Sequence, residues 1–269
     1  MKSKTIIYFI ATVLIGLVSL ISWTFTGGTQ QENLQNLSVK VKPNKSIFIP
    51  GELVELEIEV SNKGSVPVKF LQGTVDNGFL EVFVLKSDQE YKEYYGPGWG
   101  RGDLGMHITL APNESYKEAA SILFTFKADF SHLNDDEAKR ASKDKILTDY
   151  VFIEPGIYLV KAASYLDRGQ TKIESEPVQI VINEPTGDDL KIWNKIKKDC
   201  DFGYFMQQSE FSDSKRNKKE ELVKKVEELI SKHPNGILAN QLKQSLEKFK
   251  VSEAKKKEFL EKIKIKKNQ

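Results

Sequence analysis

The chain has 269 residues, of which 39% are hydrophobic, 29% charged and 10% aromatic, with 17 Gly, 9 Pro and one Cys. That length allows one or two domains with their own cores, and the composition excludes disorder, collagen and a disulfide-stapled miniprotein. The net charge of +2 says nothing about partners, because the sign of the charge changes along the chain.

Lys2 and Lys4 precede an uncharged run at residues 5–31; residues 6–21 are almost wholly apolar, and Trp23 and Phe25 extend them. A cationic flank before such a run marks export, with the N-terminus left in the cytoplasm. Signal peptides have apolar cores of about 7–15 residues and spanning helices need about 20, so this run sits between the two. Residues 1–30 therefore read as a signal peptide or a transmembrane anchor that enters the membrane through residues 5–26. The rest of the chain is expected outside that membrane. It would be periplasmic or at the cell surface if anchored, and secreted if the segment is cleaved.

Residues 53–61, LVELEIEVS, alternate strictly: Val54, Leu56, Ile58 and Val60 point one way, and Glu55, Glu57, Glu59 and Ser61 the other. Alternation of this kind belongs to a half-buried antiparallel strand, whereas a helix would scatter the glutamates around its circumference. Asn62-Lys63-Gly64 then supplies a turn. Similar extended segments recur at residues 37–41, 46–49, 66–70, 79–85, 91–95, 120–126, 156–165 and 178–182. Pro50-Gly51, Pro112-Asn113 and Pro155-Gly156 punctuate them. Many short strands with Gly/Pro turns predict a mainly β region, a sandwich or a barrel. Two stretches interrupt it, one glycine-rich at residues 96–105 and one polar at residues 129–149.

Past Asn183-Glu184-Pro185-Thr186-Gly187 the apolar period becomes helical. Leu190, Trp193 and Ile196 predict one helix, with Asp188 and Asp189 in its first turn where the dipole favours them. Phe202, Phe205 and Met206 predict a second. Leu222, Val226, Leu229 and Ile230 mark a third, ending at His233-Pro234-Asn235-Gly236. Ile237, Leu238, Leu242, Leu246 and Phe249 mark a fourth, and Phe259, Leu260 and Ile263 a last, frayed one. Residues 187–269 thus read as a small α-helical module. Cys200, the single thiol, reads as a small buried hydrophobe on one of its helices. Residues 215–269 carry 17 Lys/Arg against 8 Asp/Glu, while residues 31–214 carry 21 against 30. A basic tail on an acidic body could dock on that body or touch anionic lipid; with one Arg and few aromatics, no nucleic acid is expected.

The stretch IPGELVELEIEVSNKGSVPVKF, residues 49–70, resembles the early strands of bacterial extracytoplasmic immunoglobulin-like domains. Glu154-Pro155-Gly156-Ile157-Tyr158-Leu159-Val160 resembles their tyrosine corner, and EPVQIVI, residues 176–182, their last strand. The resemblance spans residues 34–183, longer than the usual ~100 residues, and implies an immunoglobulin-like β-sandwich. It implies a structural role for Tyr158, whose hydroxyl would bond backbone just upstream, and it puts Val160 where antibody domains place a cysteine. The missing Cys pair and the two interruptions depart from the pattern. More weakly, residues 229–242 resemble one helix–turn–helix unit of tetratricopeptide-like exported proteins, where a solenoid needs about three.

No catalytic signature appears, so no enzyme activity, cofactor or metal is expected: His107, His132 and His233 stand isolated, without metal-ligand spacing. Between Gly96 and Gly105 half of the residues are Gly, which lets backbone approach a ligand closely. Tyr94, Tyr95 and Trp99 supply flat aromatic area there, and Arg101 and Asp103 supply charge. Aromatic anchors with an Arg are the usual chemistry of binding hot spots. The plainer reading has Trp99 folding back to plug the open end of the sandwich. Arg101-Gly102-Asp103 is also the tripeptide that integrin ligands display, a match short enough to arise by chance. The expectation is an exported or membrane-anchored binding or scaffolding protein of the cell envelope, with an envelope protein or glycan as partner. Two alternatives compete: an envelope enzyme or enzyme inhibitor using carboxylates gathered from Asp76, Glu81, Asp103 and Asp167, and a purely structural spacer. Oligomeric state stays open.

Overall fold

The structure is a computed structural model and describes residues 36–75, 80–86, 89–96, 106–127, 147–166, 171–211 and 218–267. The proposed signal or anchor at residues 1–30 lies outside the described residues, as do Trp99, Arg101, Asp103, Asp76, Asp167 and His132. The described part is mainly β, followed by helices.

The alternation at residues 53–61 produces the strand that organises the first sheet. Strand β3 (Val54–Asn62) lies between β1 (Leu37–Pro43) and β8 (Ser115–Ile122), antiparallel to both. Its inward residues Val54, Leu56, Ile58 and Val60 are all at most 2% exposed. A second sheet runs in the order β2 (Ile47–Phe48), β13 (Val178–Ile182), β11 (Gly156–Tyr165), β5 (Leu80–Lys86) and β6 (Lys92–Tyr94). β2 joins β13 in parallel, and β12 (Lys172–Glu174) pairs with the far end of β11. Val82, Val160, Ala162 and Ile180 from this sheet share one core with the inward row of β3 and β1. Two smaller antiparallel pairs complete the β region, β4 (Val68–Leu71) with β7 (His107–Leu110), and β9 (Phe124–Lys127) with β10 (Leu147–Tyr150).

The continuous strand expected over residues 120–126 is two strands, β8 and β9, broken at Leu123. The cause is a change of core. Ile122, Leu123 and Phe124 are consecutively buried, which no flat strand with one wet face permits. Ile122 faces the inter-sheet core, while Leu123 and Phe124 turn into a second cluster. The Leu123 carbonyl accepts from Val151 N at 2.9 Å, starting the β9–β10 pair, so the end of the polar 129–149 stretch is a strand.

That second cluster is built by the helices α1 (Gly187–Ile196), α2 (Cys200–Gln208), α3 (Lys219–Lys232) and α4 (Ile237–Lys267). Ile192, Trp193, Phe205, Val226, Leu238 and Leu242 pack around Phe124 and Tyr150 from the β region. Tyr150 meets Trp193 edge-on at 5.0 Å between centroids, and its hydroxyl donates at 3.3 Å to the Ile196 carbonyl at the end of α1, which also accepts from Asp199 N at 2.8 Å. Asp189 of α1 accepts from Leu238 N at 2.8 Å and thereby caps α4. Asp199 caps α2 by accepting from Asp201 N at 3.1 Å. Gly51 holds φ +80° beneath Trp193, where a Cβ would come within 2.7 Å of the indole. From the same turn, Leu53 N donates to Gln241 Oε1 of α4 at 2.9 Å.

Two sequence expectations need correction here. The fourth and fifth predicted helices are one 31-residue helix, α4, because nothing between Ile237 and Lys267 is Gly or Pro and nothing stops it. Cys200 is exposed at the first residue of α2 rather than buried. Among the described residues no helix is long and apolar enough to cross a membrane.

Candidate functional site

The outward row of the second sheet brings together side chains that lie far apart in sequence. On β11 the inward residues are Tyr158, Val160 and Ala162, so Lys161, Ala163 and Tyr165 face outward. Register sets Phe83 of β5 opposite Lys161 on one side and Glu93 of β6 on the other. Ala163 lies opposite both Glu81 and Glu174, and Tyr165 opposite Lys172. The small Ala163 leaves room for these longer side chains to close over it.

They form a continuous network. Glu81 accepts from the Tyr165 hydroxyl at 2.6 Å and pairs with Lys172 at 2.9 Å. Lys172 also lies 3.3 Å from Glu174 and sits over the Phe83 ring, 4.1 Å from its centroid. Lys161 pairs with Glu174 at 2.5 Å and lies between the rings of Tyr91, at 4.7 Å, and Phe83, at 5.3 Å. Ammonium groups over aromatic faces are favourable, more so as water is excluded. The lysines hold the Glu174 carboxyl below its ordinary range, Lys161 most of all. Glu93 behaves oppositely. Burial pushes its carboxyl up, and the neighbouring Glu81 charge adds to that, against a weaker pull from the Tyr95 hydroxyl. The Tyr165 hydroxyl is likewise held well above its ordinary range by burial and by its bond to Glu81.

Of the five residues predicted for a binding loop, the described ones, Tyr94 and Tyr95, take different places. Tyr94 is buried at the end of β6, and its hydroxyl donates to the Ser121 carbonyl at 3.1 Å. Gln207 of α2 reaches the same hydroxyl, and its Oε1 accepts from Phe124 N at 2.9 Å. Tyr94 is therefore a strut between sheet and helix rather than an open stacking surface. It lines a cleft of about 170 Å³ with Thr74, Glu118, Ser121 and Gln207, well below the roughly 300 Å³ where small-molecule sites begin. Tyr95 is half-buried, turns to the outward side and donates to Glu93 Oε2 at 2.8 Å. It belongs to the network on β5, β6, β11 and β12; residues 97–105, which follow soon after it in sequence, lie outside the described residues. Of the four carboxylates of the competing reading, Glu81 is the described one, and it sits in this network.

Phe83, Tyr91, Lys161, Tyr165, Lys172 and Glu174 were not singled out from the sequence. The outward positions of Phe83, Lys161 and Tyr165 follow from the alternation of β5 and β11, but which outward residues meet depends on strand order and register. Among the described residues no group of three or more His, Cys, Asp or Glu side chains could hold a metal ion. The lysines of α3 and α4 pair with acids of the helical module, such as Lys219 with Glu253, Lys250 with Glu227 and Lys256 with Glu210. Among the described residues the helices meet the β region through apolar contact and hydrogen bonds rather than through these lysines.

No family model matches the chain, and no curated protein does. The solved structures that match include a β-glucosidase from Erythrobacter marinus, 12% identical over 55% of this chain and 15% of that one, with a TM-score of 0.30. A β-glucosidase from Listeria innocua is 9% identical over 55% of this chain and 16% of that one, with a TM-score of 0.28. Spo0M, the sporulation control protein from Bacillus subtilis, is 13% identical over 61% of this chain and 55% of that one, with a TM-score of 0.29. The chain thus spans 15% and 16% of the two β-glucosidases' length, and likeness of this degree brings no activity with it. It does correct one expectation. The exclusion of enzyme activity, drawn from missing motifs alone, is withdrawn: the matching structures include β-glucosidases.

Proposed function

We propose that the chain is an exported or membrane-anchored binding or scaffolding protein of the cell envelope, held at the membrane through residues 5–26 or released by cleavage there. Its β region, in this reading, is an immunoglobulin-like sandwich that presents the outward face of β5, β6, β11 and β12 to an envelope protein or glycan. Support for the sandwich comes from the two sheets sharing one core and from Tyr158, whose hydroxyl donates to the Glu154 carbonyl at 2.9 Å, the bond a tyrosine corner makes. The observation that carries the binding role is that aromatic and charged face itself, with Tyr95 at its edge shortly before the glycine-rich stretch in sequence. Half-exposed rings edged by carboxylates and lysines suit the apolar face and hydroxyls of a sugar, or a peptide side chain.

Crosslinking in intact cells, followed by identification of what is captured, tests this directly. Trp99→Ala with Arg101→Ala, and separately Phe83→Ala, are expected to lower recovery of the captured molecule about tenfold, the effect of removing a modest hot spot. Recovery equal to the parent chain in both variants would remove this face from consideration.

A further inference from the structure

Helix α4 outruns the module it belongs to. Leu238, Leu242, Ser245 and Phe249 are buried along one side of its first half. At about 100° per residue, Phe259, Leu260 and Ile263 continue on that same side, within an arc of about 100°. Among the described residues nothing covers them there: Phe259 is 64% exposed and Leu260 58%. Exposed Lys255 and Lys262 border this arc on one edge and exposed Lys257 on the other; Lys256 lies within it one turn earlier, paired with Glu210 at 3.0 Å, and Glu258 and Glu261 fall on the opposite side of the helix. Glu258 is drawn to Lys262 at 2.6 Å, away from the apolar arc.

We infer that the free half of α4 docks on an anionic lipid surface, with Phe259, Leu260 and Ile263 sunk among the headgroups and the lysines on both edges paired with lipid phosphates. An apolar arc with cations on both borders and acids on the reverse is the arrangement of a helix lying in a membrane interface. A second copy of α4 does not fit the same arc. Its border lysines would face border lysines, while Glu258 and Glu261 lie on the reverse of the helix and Glu253, beside the arc, is already paired with Lys219 and Lys256 of the same chain. The inference rests on α4 alone and stands whether or not residues 5–26 anchor the chain.

The test uses the full chain carrying Cys200→Ser and Ile263→Cys, labelled at the new thiol with an environment-sensitive fluorophore. It is mixed with vesicles of phosphatidylcholine alone or of phosphatidylcholine with phosphatidylglycerol. The label reports only its own surroundings, so insertion elsewhere in the chain does not register. A blue shift is expected with the anionic vesicles alone, reversed at high salt. Each of Lys255→Ala, Lys257→Ala and Lys262→Ala should lower the docked-to-undocked ratio about fivefold. The same protein serves in both vesicle types, so a folding defect cannot mimic the contrast. Equal emission in the two vesicle types would overturn the inference. So would a shift without lipid that grows with protein concentration, which would assign the arc to a second copy of the chain.

Discussion

Asn62 does more than close a turn. It is fully buried at the end of β3, and its Nδ2 donates to the Val66 carbonyl at 2.8 Å and the Leu110 carbonyl at 3.0 Å. Its Oδ1 accepts from Gly64 N at 2.9 Å. Asn62→Ala strands these groups away from water and is expected to cost about 2–3 kcal/mol, read as a lower urea midpoint at unchanged slope. An unaltered midpoint would mean that water replaces the amide. The Asn-Lys-Gly turn was legible in the sequence; the carbonyl of Leu110, brought in by a different strand, was not. Glu93 offers the opposite case, a residue whose charge burdens the fold. Its folded pKa is raised, so its ionised form costs stability above that raised value and the cost vanishes below the unfolded carboxylate range. Glu93→Gln keeps an acceptor for Tyr95 and removes the charge. The variant should be more stable than the parent near neutral pH and no more stable at about pH 3.5. A gain of equal size at both pH values would refute the burial argument.

Between elements, a close fit lies where α2 crosses β9 and β10. Gly203 is buried there, and a Cβ on it would stand 2.7 Å from the Phe124 ring and 3.1 Å from that of Tyr150. Those rings are already locked edge-on at 5.7 Å. Gly203→Val should therefore overpack this junction and cost about 2 kcal/mol, seen as a lower melting midpoint. An unchanged midpoint would show that α2 can lift from the sheet without loss. Long alternating strands were readable element by element: β11 and β13 lie where residues 156–165 and 178–182 were read as extended. Short β7, β10 and β12 were missed, since three or four residues hold too little period to register. α4 read as two helices for a related reason. Its apolar period gives out in the lysine-rich turns after Phe249, while its helical propensity does not.

Across the whole molecule, two cores meet along a line that the sequence marks only by three consecutive apolar residues, Ile122, Leu123 and Phe124. Alternation shows which side of a strand is dry, but not that the dry side changes partner halfway. The charge division is plain in the sequence, and its distribution follows local helical pairing: Lys225 with Glu221 and Lys232 with Glu228 are both one turn apart. The contact from Leu53 N to Gln241, 188 positions apart, has an effect on how the chain is made. A ribosome releases the Gly51 turn long before the helix that covers it. Until that helix appears, Trp193 has no Leu238 to close the space over Gly51. The second core therefore stays open on that side until residues 237–249 have been added.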